Sequence, residues 1–502
     1  MLRSITVLIS SLMFALLTIQ VAAGTVSEQD GRFLALEFTG TYSEFLTQEN
    51  IEKARALGVN IILTDGEEPI DHIDLSEFLF ILSATERFTT PHLLGINRTI
   101  IAENLIDRYR QLNQRYPGRI SAVELFRDPH DISNRFPVVA SQLADTVGSL
   151  IETPLFYTSR FFEAEAQPLP SGYHFRGMNV SPISEIHQFP APITIFSPDE
   201  KDLRKSMVQL RELLTADTGY ENSILVLPAG WLLKLIDERP ATEIALRAFT
   251  SGDTVTLPLP APSEKPLSIN WSVLFLFLLW ISFMVHFSFQ PMYVQSLPRY
   301  FLNHIFYVID VMEHRIRNAL PGIIVMVQHA LLTGLFLFVS AEILVSETGL
   351  SALSYHFPVL FLSGNELLSL FFLGVLIALA MQFVSVLWIH LLNKKLQFFS
   401  QTLNLYSWPL HINLAIVTLL VVFNQTGTAD SVIAGFSVLF ALTWFMSFNV
   451  AAIDAARFLD NGKVVNIFLT VGLHTLIVVL LVWYLLTNPA FIEPVQLAFF
   501  LP

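Results

Sequence analysis

The 502-residue chain contains no cysteine. That single absence excludes disulfides, thiolate catalysis, cysteine-based metal sites and a lipoprotein-type signal, and leaves the redox compartment open. Charge is scarce too, at 14%, and unevenly placed. Residues 24–266 hold 21 Lys+Arg and 34 Asp+Glu, whereas only 7 and 9 occur from Leu267 onward. The first half reads as an acidic soluble domain and the second as a chain that avoids charge as lipid-facing segments must. An acidic balance argues against nucleic acid, whose phosphates attract basic faces. No Gly-rich phosphate loop follows the first apolar run (Glu37-Phe-Thr-Gly-Thr-Tyr42), so no nucleotide cofactor is implied. His72, His92, His130, His174 and His187 share no ligand spacing, and no metal is expected.

What is present begins with a targeting pattern over residues 1–23. Arg3, an apolar stretch at 5–19, and Val21, Ala22 and Ala23 before Gly24 predict a signal peptide, with cleavage before Gly24 as the first expectation and an uncleaved anchor as the alternative. Residues 24–256 then form the extracytoplasmic domain and 257–270 a Pro-rich, extended linker. Six apolar runs follow, at 271–289, 322–343, 367–391, 409–423, 431–450 and 464–486, most of them close to the ~20 residues a span requires. An exported first domain makes the first span run inward. All seven basic residues after Leu267 then share the inner side: Arg299, Arg315, Arg317, Lys394, Lys395, Arg457 and Lys463. None falls in 344–366, 424–430 or the outer tail 487–502, as the positive-inside rule requires. In the inner segment 290–321, Phe301, Ile305, Val308, Ile309 and Met312 recur at helical intervals and predict an amphipathic helix at the headgroup boundary. His286, His329, Gln382, Ser385, His390, His411, Asn413, Asn449, Asp454 and His474 lie in or beside the spans and read as helix–helix hydrogen-bonding groups. The expected partner of this half is membrane lipid.

In the exported half, short apolar runs at 33–38, 59–64, 78–82, 120–126, 155–158, 177–180, 193–196 and 224–227 alternate with helical stretches at 47–57, 100–115, 138–151, 200–215 and 241–249. Eight strands alternating with helices over about 240 residues predict an α/β fold of the (β/α)8-barrel kind, with a doubly wound sheet as the rival. The whole chain thus reads as a barrel followed by an all-α bundle. Chemistry in such a barrel sits at the strand ends. Those ends carry Glu37, Asp65, Glu67, Glu124, Arg127, Asp128, Tyr157 and Asn179, with Trp231 beyond the last. Strand alternation over four residues would turn both Glu124 and Asp128 inward. Carboxylates, an amide and a tryptophan at one mouth suit a carbohydrate, whose hydroxyls need acceptors and whose apolar face stacks on a ring.

The run Arg119-Ile-Ser-Ala-Val-Glu-Leu-Phe-Arg-Asp-Pro129 resembles the fourth-strand signature of glycoside hydrolase barrels of the β-galactosidase/cellulase superfamily. Arg108-Tyr-Arg-Gln-Leu-Asn-Gln-Arg-Tyr-Pro117 and Ala56-Leu-Gly-Val-Asn-Ile-Ile62 share the likeness. The resemblance implies an acid/base at Asp128. Yet the family's Asn-Glu is Arg127-Asp128 here, and Phe196-Ser197 stands where the seventh strand should end in the nucleophilic glutamate. The last five spans, entered through Lys395-Leu-Gln-Phe-Phe-Ser-Gln-Thr-Leu-Asn-Leu-Tyr-Ser-Trp-Pro409, resemble the bacterial Yip-family membrane domain. Together the resemblances imply a bacterial cytoplasmic membrane with the barrel outside it. The leading expectation is a degenerate, non-catalytic glycosidase-like barrel binding a glycan or an envelope partner. The alternatives are an active hydrolase pairing Asp128 with Asp199 or Glu67, and a transporter with a polar path through His329, His411 and His474.

Overall fold

The computed structural model describes residues 32–39, 44–66, 73–83, 86–160, 169–180, 191–199, 202–215, 223–261, 270–361, 364–426 and 430–501. The predicted signal peptide, Glu67 and the 262–269 part of the linker lie outside the described residues. The chain divides into two compact units, Met1–Lys265 with Leu501–Pro502, and Pro266–Phe500.

The first unit is a closed barrel of eight parallel strands in sequence order. They are β1 (Phe33–Phe38), β2 (Ile61–Thr64), β3 (Leu79–Ser83), β4 (Ile120–Arg127), β5 (Leu155–Ser159), β6 (Phe175–Val180), β7 (Ile193–Phe196) and β8 (Ile224–Pro228). The period of two sorts the side chains. Ala35, Ile61, Leu63, Ile81, Ala122, Phe156, Ile193, Ile195 and Val226 fill the lumen. Leu34, Leu36, Phe38, Ile62, Phe80, Leu82, Leu225 and Leu227 point the other way, into the layer beneath the helices. Around the wall pack α1 (Gln48–Ala56), α2 (Pro91–Arg115), α3 (Phe136–Gly148), α4 (Leu203–Thr215), α5 (Ala229–Glu238) and α6 (Pro240–Ser251). Helix α2 starts nine residues before its predicted beginning. Thr90 caps it, accepting from the Leu93 N–H, and Pro91 sits in the first turn, where no N–H is needed. Helix α5 was not predicted; it begins directly after Pro228, the last residue of β8. The linker also begins later than expected: Val255 and Leu257 are buried in the outer core, and Arg204 Nη1 donates to the Pro260 carbonyl at 2.7 Å.

Among its described residues the second unit has six helices long and apolar enough to cross a membrane: Trp271–Phe289 (α7), Leu320–Leu344 (α10), Glu366–Leu392 (α12), Phe399–Gln425, Val432–Ala456 and Lys463–Thr487. The fourth is much longer than the predicted 409–423. It comprises α13 (Phe399–Ser407), a tight turn at Trp408–His411, and α14 (Ile412–Gln425). Pro409 removes one N–H and tightens the helix locally without ending it. Its polar entry escaped hydropathy because neighbouring helices cover it. Gln401 donates to the Val311 and Met312 carbonyls, and Asn404 to that of Asn318.

The predicted single amphipathic helix is two, α8 (Pro291–Leu302) and α9 (His304–Met312), broken at Asn303. Its stripe divides accordingly. Val308 is buried with Tyr307 and Val311, while Phe301 and Ile305 are exposed beside Leu302 and Phe306. The fifth and sixth spans comprise α15 (Asp430–Ala456), then α16 (Lys463–Ile467) and α17 (Leu473–Thr487) joined by a π turn at Phe468–Gly472. Two helices were unforeseen: α11 (Glu347–His356) and α18 (Pro489–Phe500). They approach so closely that a Cβ on Gly349 would run into the Ala498 carbonyl oxygen.

Candidate functional site

Toward the carboxyl ends of the strands the lumen changes from apolar to polar. Glu37, Ser83, Glu124, Thr158 and Asn179 continue the inward parity of their strands, and all five are buried. Their partners are set by an irregularity in β4, whose pairing with β5 shifts register between Glu124 and Arg127. Such a bulge bends the strand and re-aims its side chains. Arg127 therefore joins Glu124 in the lumen. Its Nη1 meets Glu37 Oε1 at 2.5 Å and its Nη2 meets Glu124 Oε2 at 2.8 Å. Glu124 also accepts from Ser83 Oγ at 2.7 Å and from Thr158 Oγ1. Thr39 Oγ1 donates to Glu37 at 2.6 Å, and Arg87 stands 4.0 Å away. Burial alone would raise the Glu37 pKa. Arg127 and Thr39, with Arg87 behind them, outweigh it and hold the carboxyl below its usual range. Burial likewise opposes the charge on Arg127, but Glu124 and Glu37 raise its pKa further above the ordinary arginine value.

Asp128 follows the bulge with φ 51°, a left-handed conformation that costs a non-glycine residue free energy and is often retained at functional sites. Its N–H donates to the Thr158 carbonyl at 2.9 Å. Oδ2 accepts from Asn179 Nδ2 at 2.8 Å and Arg160 Nε at 3.1 Å, while Oδ1 is buried without a hydrogen-bond partner. Ser197 Oγ donates to Asn179 Oδ1 at 2.8 Å, so the residue after β7 holds the amide that holds Asp128. Phe88, also left-handed at φ 53°, pairs its N–H with the Arg127 carbonyl at 3.1 Å. Arg127 donates in turn to the Glu86 carbonyl at 2.9 Å, which fastens the β3–α2 loop to the end of β4.

The remaining predicted residues are dispersed. Tyr157 points away from the lumen. It is fully buried edge-on to Phe136 and Tyr173, and its hydroxyl accepts from Arg176 Nε at 2.7 Å. An odd offset from the inward Phe156 and Thr158 sends it there. Asp65 is buried just past β2. Trp231 sits on α5, partly buried, with its ring 5.4 Å from that of Phe196. Residues that sequence reasoning left out of the site include Arg160, Ser83, Thr158 and Ser197. Arg160 and Ser197 each had a signal, a place directly after a strand end. Beside the mouth, Asp131 lies 3.8 Å from Arg176, and burial pushes its carboxyl up to about 6.

A retaining glycosidase needs two carboxyl groups about 5–5.5 Å apart, one protonated and one ionised. Here the Arg127 guanidinium is wedged between Glu37 and Glu124, and β7 ends in Phe196, with Ser197 after it. Asp199 has its N–H bound by Ser206 Oγ of α4 at 2.8 Å. Among the described residues no three His, Asp or Glu side chains group as metal ligands.

In the helical unit the three histidines of the transport alternative have separate partners. His329 contacts Gln382 and Asn413, and His411 contacts Tyr293 and the Trp408 carbonyl. His474 lies flat on Phe448 at 3.9 Å. Among the described residues no hydrogen bond joins one histidine to another.

No protein-family model matches the chain, so the Yip-family resemblance has no family match behind it, and no curated protein matches either. Two solved structures of a GH2 β-galacturonidase from Eisenbergiella tayi, one bound to galacturonate and one to glycerol, are each similar at 11% identity over 39% of this chain. Their TM-scores are 0.26 and 0.25, and the match spans about a third of their length, 35% and 34%.

Proposed function

We propose that this is a membrane-anchored protein whose extracytoplasmic barrel binds a glycan, or a glycan-bearing envelope partner, without hydrolysing it. The observation that carries the reading is the division of labour at the mouth. Arg127 ion-pairs the inward carboxylates Glu37 and Glu124, β7 ends in Phe196 rather than a carboxylate, and Asp128 keeps one buried oxygen unpaired. An acceptor held by Asn179 and Arg160 on strained backbone is suited to a ligand hydroxyl, and Trp231 would supply the stacking face.

The test uses full-length protein in detergent, screened on a glycan array and against aryl-glycosides. Binding without turnover, weakened at least tenfold by Asp128→Asn and by Trp231→Ala, is the expected result. Turnover lost in Asp128→Asn would replace this reading with a membrane-tethered hydrolase. Silence on both screens would refute glycan recognition.

A further inference from the structure

The helical unit carries a groove that the barrel reading does not use. It lies between α12 and the last span, with a cavity volume of ≈ 430 Å³ and walls formed by Val384, Leu387, Leu391, Leu469 and Leu473 around Trp388. The π turn at Phe468–Gly472 shapes it. Such a turn interrupts the regular hydrogen-bond ladder, and the Leu469 carbonyl accepts from Trp388 Nε1 at 3.2 Å. One end of the groove is basic. Asn466 Nδ2 donates to the Leu392 carbonyl at 2.8 Å, and Lys395 pairs with Asp460 at 2.6 Å. These two ties hold the end of α12 against the start of α16. Lys394, two residues past Leu392, and Lys463, one turn before Asn466, are thereby brought to the same end, and both are exposed. Arg457 is engaged by Asp454, but among the described residues neither Lys394 nor Lys463 has an ion-pair partner.

We propose that this groove binds one anionic phospholipid, its acyl chain along the apolar walls and its phosphate between Lys394 and Lys463. A chain that leaves bilayer hydrocarbon for leucine side chains gains no hydrophobic free energy. Selectivity must therefore come from the headgroup, and each lysine near the phosphate is worth about fivefold in affinity, roughly 30-fold for the pair. The charge asymmetry of the loops assigns the site to the inner leaflet.

Full-length protein in non-ionic detergent would be titrated with phosphatidylglycerol and phosphatidylcholine of identical chains and followed by native mass spectrometry. The expected result is a saturable single phosphatidylglycerol, bound roughly 30-fold better than phosphatidylcholine. Lys394→Gln with Lys463→Gln should abolish that preference. Arg299→Gln with Arg317→Gln, which removes equal charge elsewhere, should preserve it. Leu473→Trp, which fills the groove and leaves the lysines in place, should also abolish binding. Equal retention of the two lipids, or equal loss in both charge-removal pairs, would overturn the site. So would glycerol phosphate competing as well as the intact lipid, since the groove would then contribute nothing.

Discussion

Arg127 is the residue on which the barrel mouth depends. It is 5% exposed and satisfies two carboxylates contributed by β1 and β4. Removing one partner of a buried ion pair leaves uncompensated charge and typically costs about 3–5 kcal/mol. Arg127→Met should therefore lower the barrel's thermal transition substantially, and adding Glu37→Gln and Glu124→Gln should recover much of the loss. Scanning fluorimetry of the full-length variants checks both outcomes. Asp131 supplies a pH signature of opposite sign to that of Glu37. Its carboxyl is pushed up to about 6 by burial, so the fold favours the protonated form, by roughly 3 kcal/mol relative to an ordinary aspartate. That stability is fully present below pH ~4 and is lost as pH rises through about 6. Glu37, held below its usual range, contributes stability that is present above about pH 4.5 and lost as pH falls through its lower folded value. A thermal-stability profile should fall between pH 4 and 7, and Asp131→Asn should flatten that fall.

At the scale of elements, close backbone approach decides which helices pair. A Cβ on Gly334 of α10 would lie 2.6 Å from the Phe371 carbonyl oxygen of α12, and one on Gly374 would lie 2.9 Å from the Gly334 Cα. Small residues at such a crossing let van der Waals contact replace the missing hydrophobic drive between helices in lipid. Gly334→Val should consequently destabilise the bundle in detergent by several degrees, whereas a valine at Gly435, where nothing approaches within 4 Å, should change the transition little. The strands were legible because Ala35, Leu63, Ile81 and Val226 alternate with outward neighbours, and every predicted strand lies within two residues of the observed one. The helical elements were less so. Residues 399–408 carry polar side chains on a buried surface, and α11 and α18 are short pieces whose apolar residues form one small cluster with the ends of α10 and α12.

For the whole molecule, the cysteine-free chain makes the proposed orientation directly testable. Val359→Cys, in the segment predicted to lie outside, should react with a membrane-impermeant maleimide on intact cells. Lys394→Cys should react only after permeabilisation, and the reverse pattern would invert both the topology and the leaflet assigned to the lipid groove.

The sequence by itself determined the eight strands and the spans, because desolvation of apolar side chains is local and its period can be counted along the chain. It also determined which loops carry positive charge. Closure of the strands into a barrel rather than a doubly wound sheet was decided by the tertiary structure. Only the tertiary structure decided the chemistry of the mouth. A bulge in β4 turned Arg127 inward beside Glu124, and it met Glu37 from 90 residues away. The same three-dimensional packing sent Tyr157 into the outer core and left Trp231 against Phe196. Whether a carboxylate meets a cation or a ligand is settled by register and burial across the barrel, and neither quantity is carried by any local run of residues.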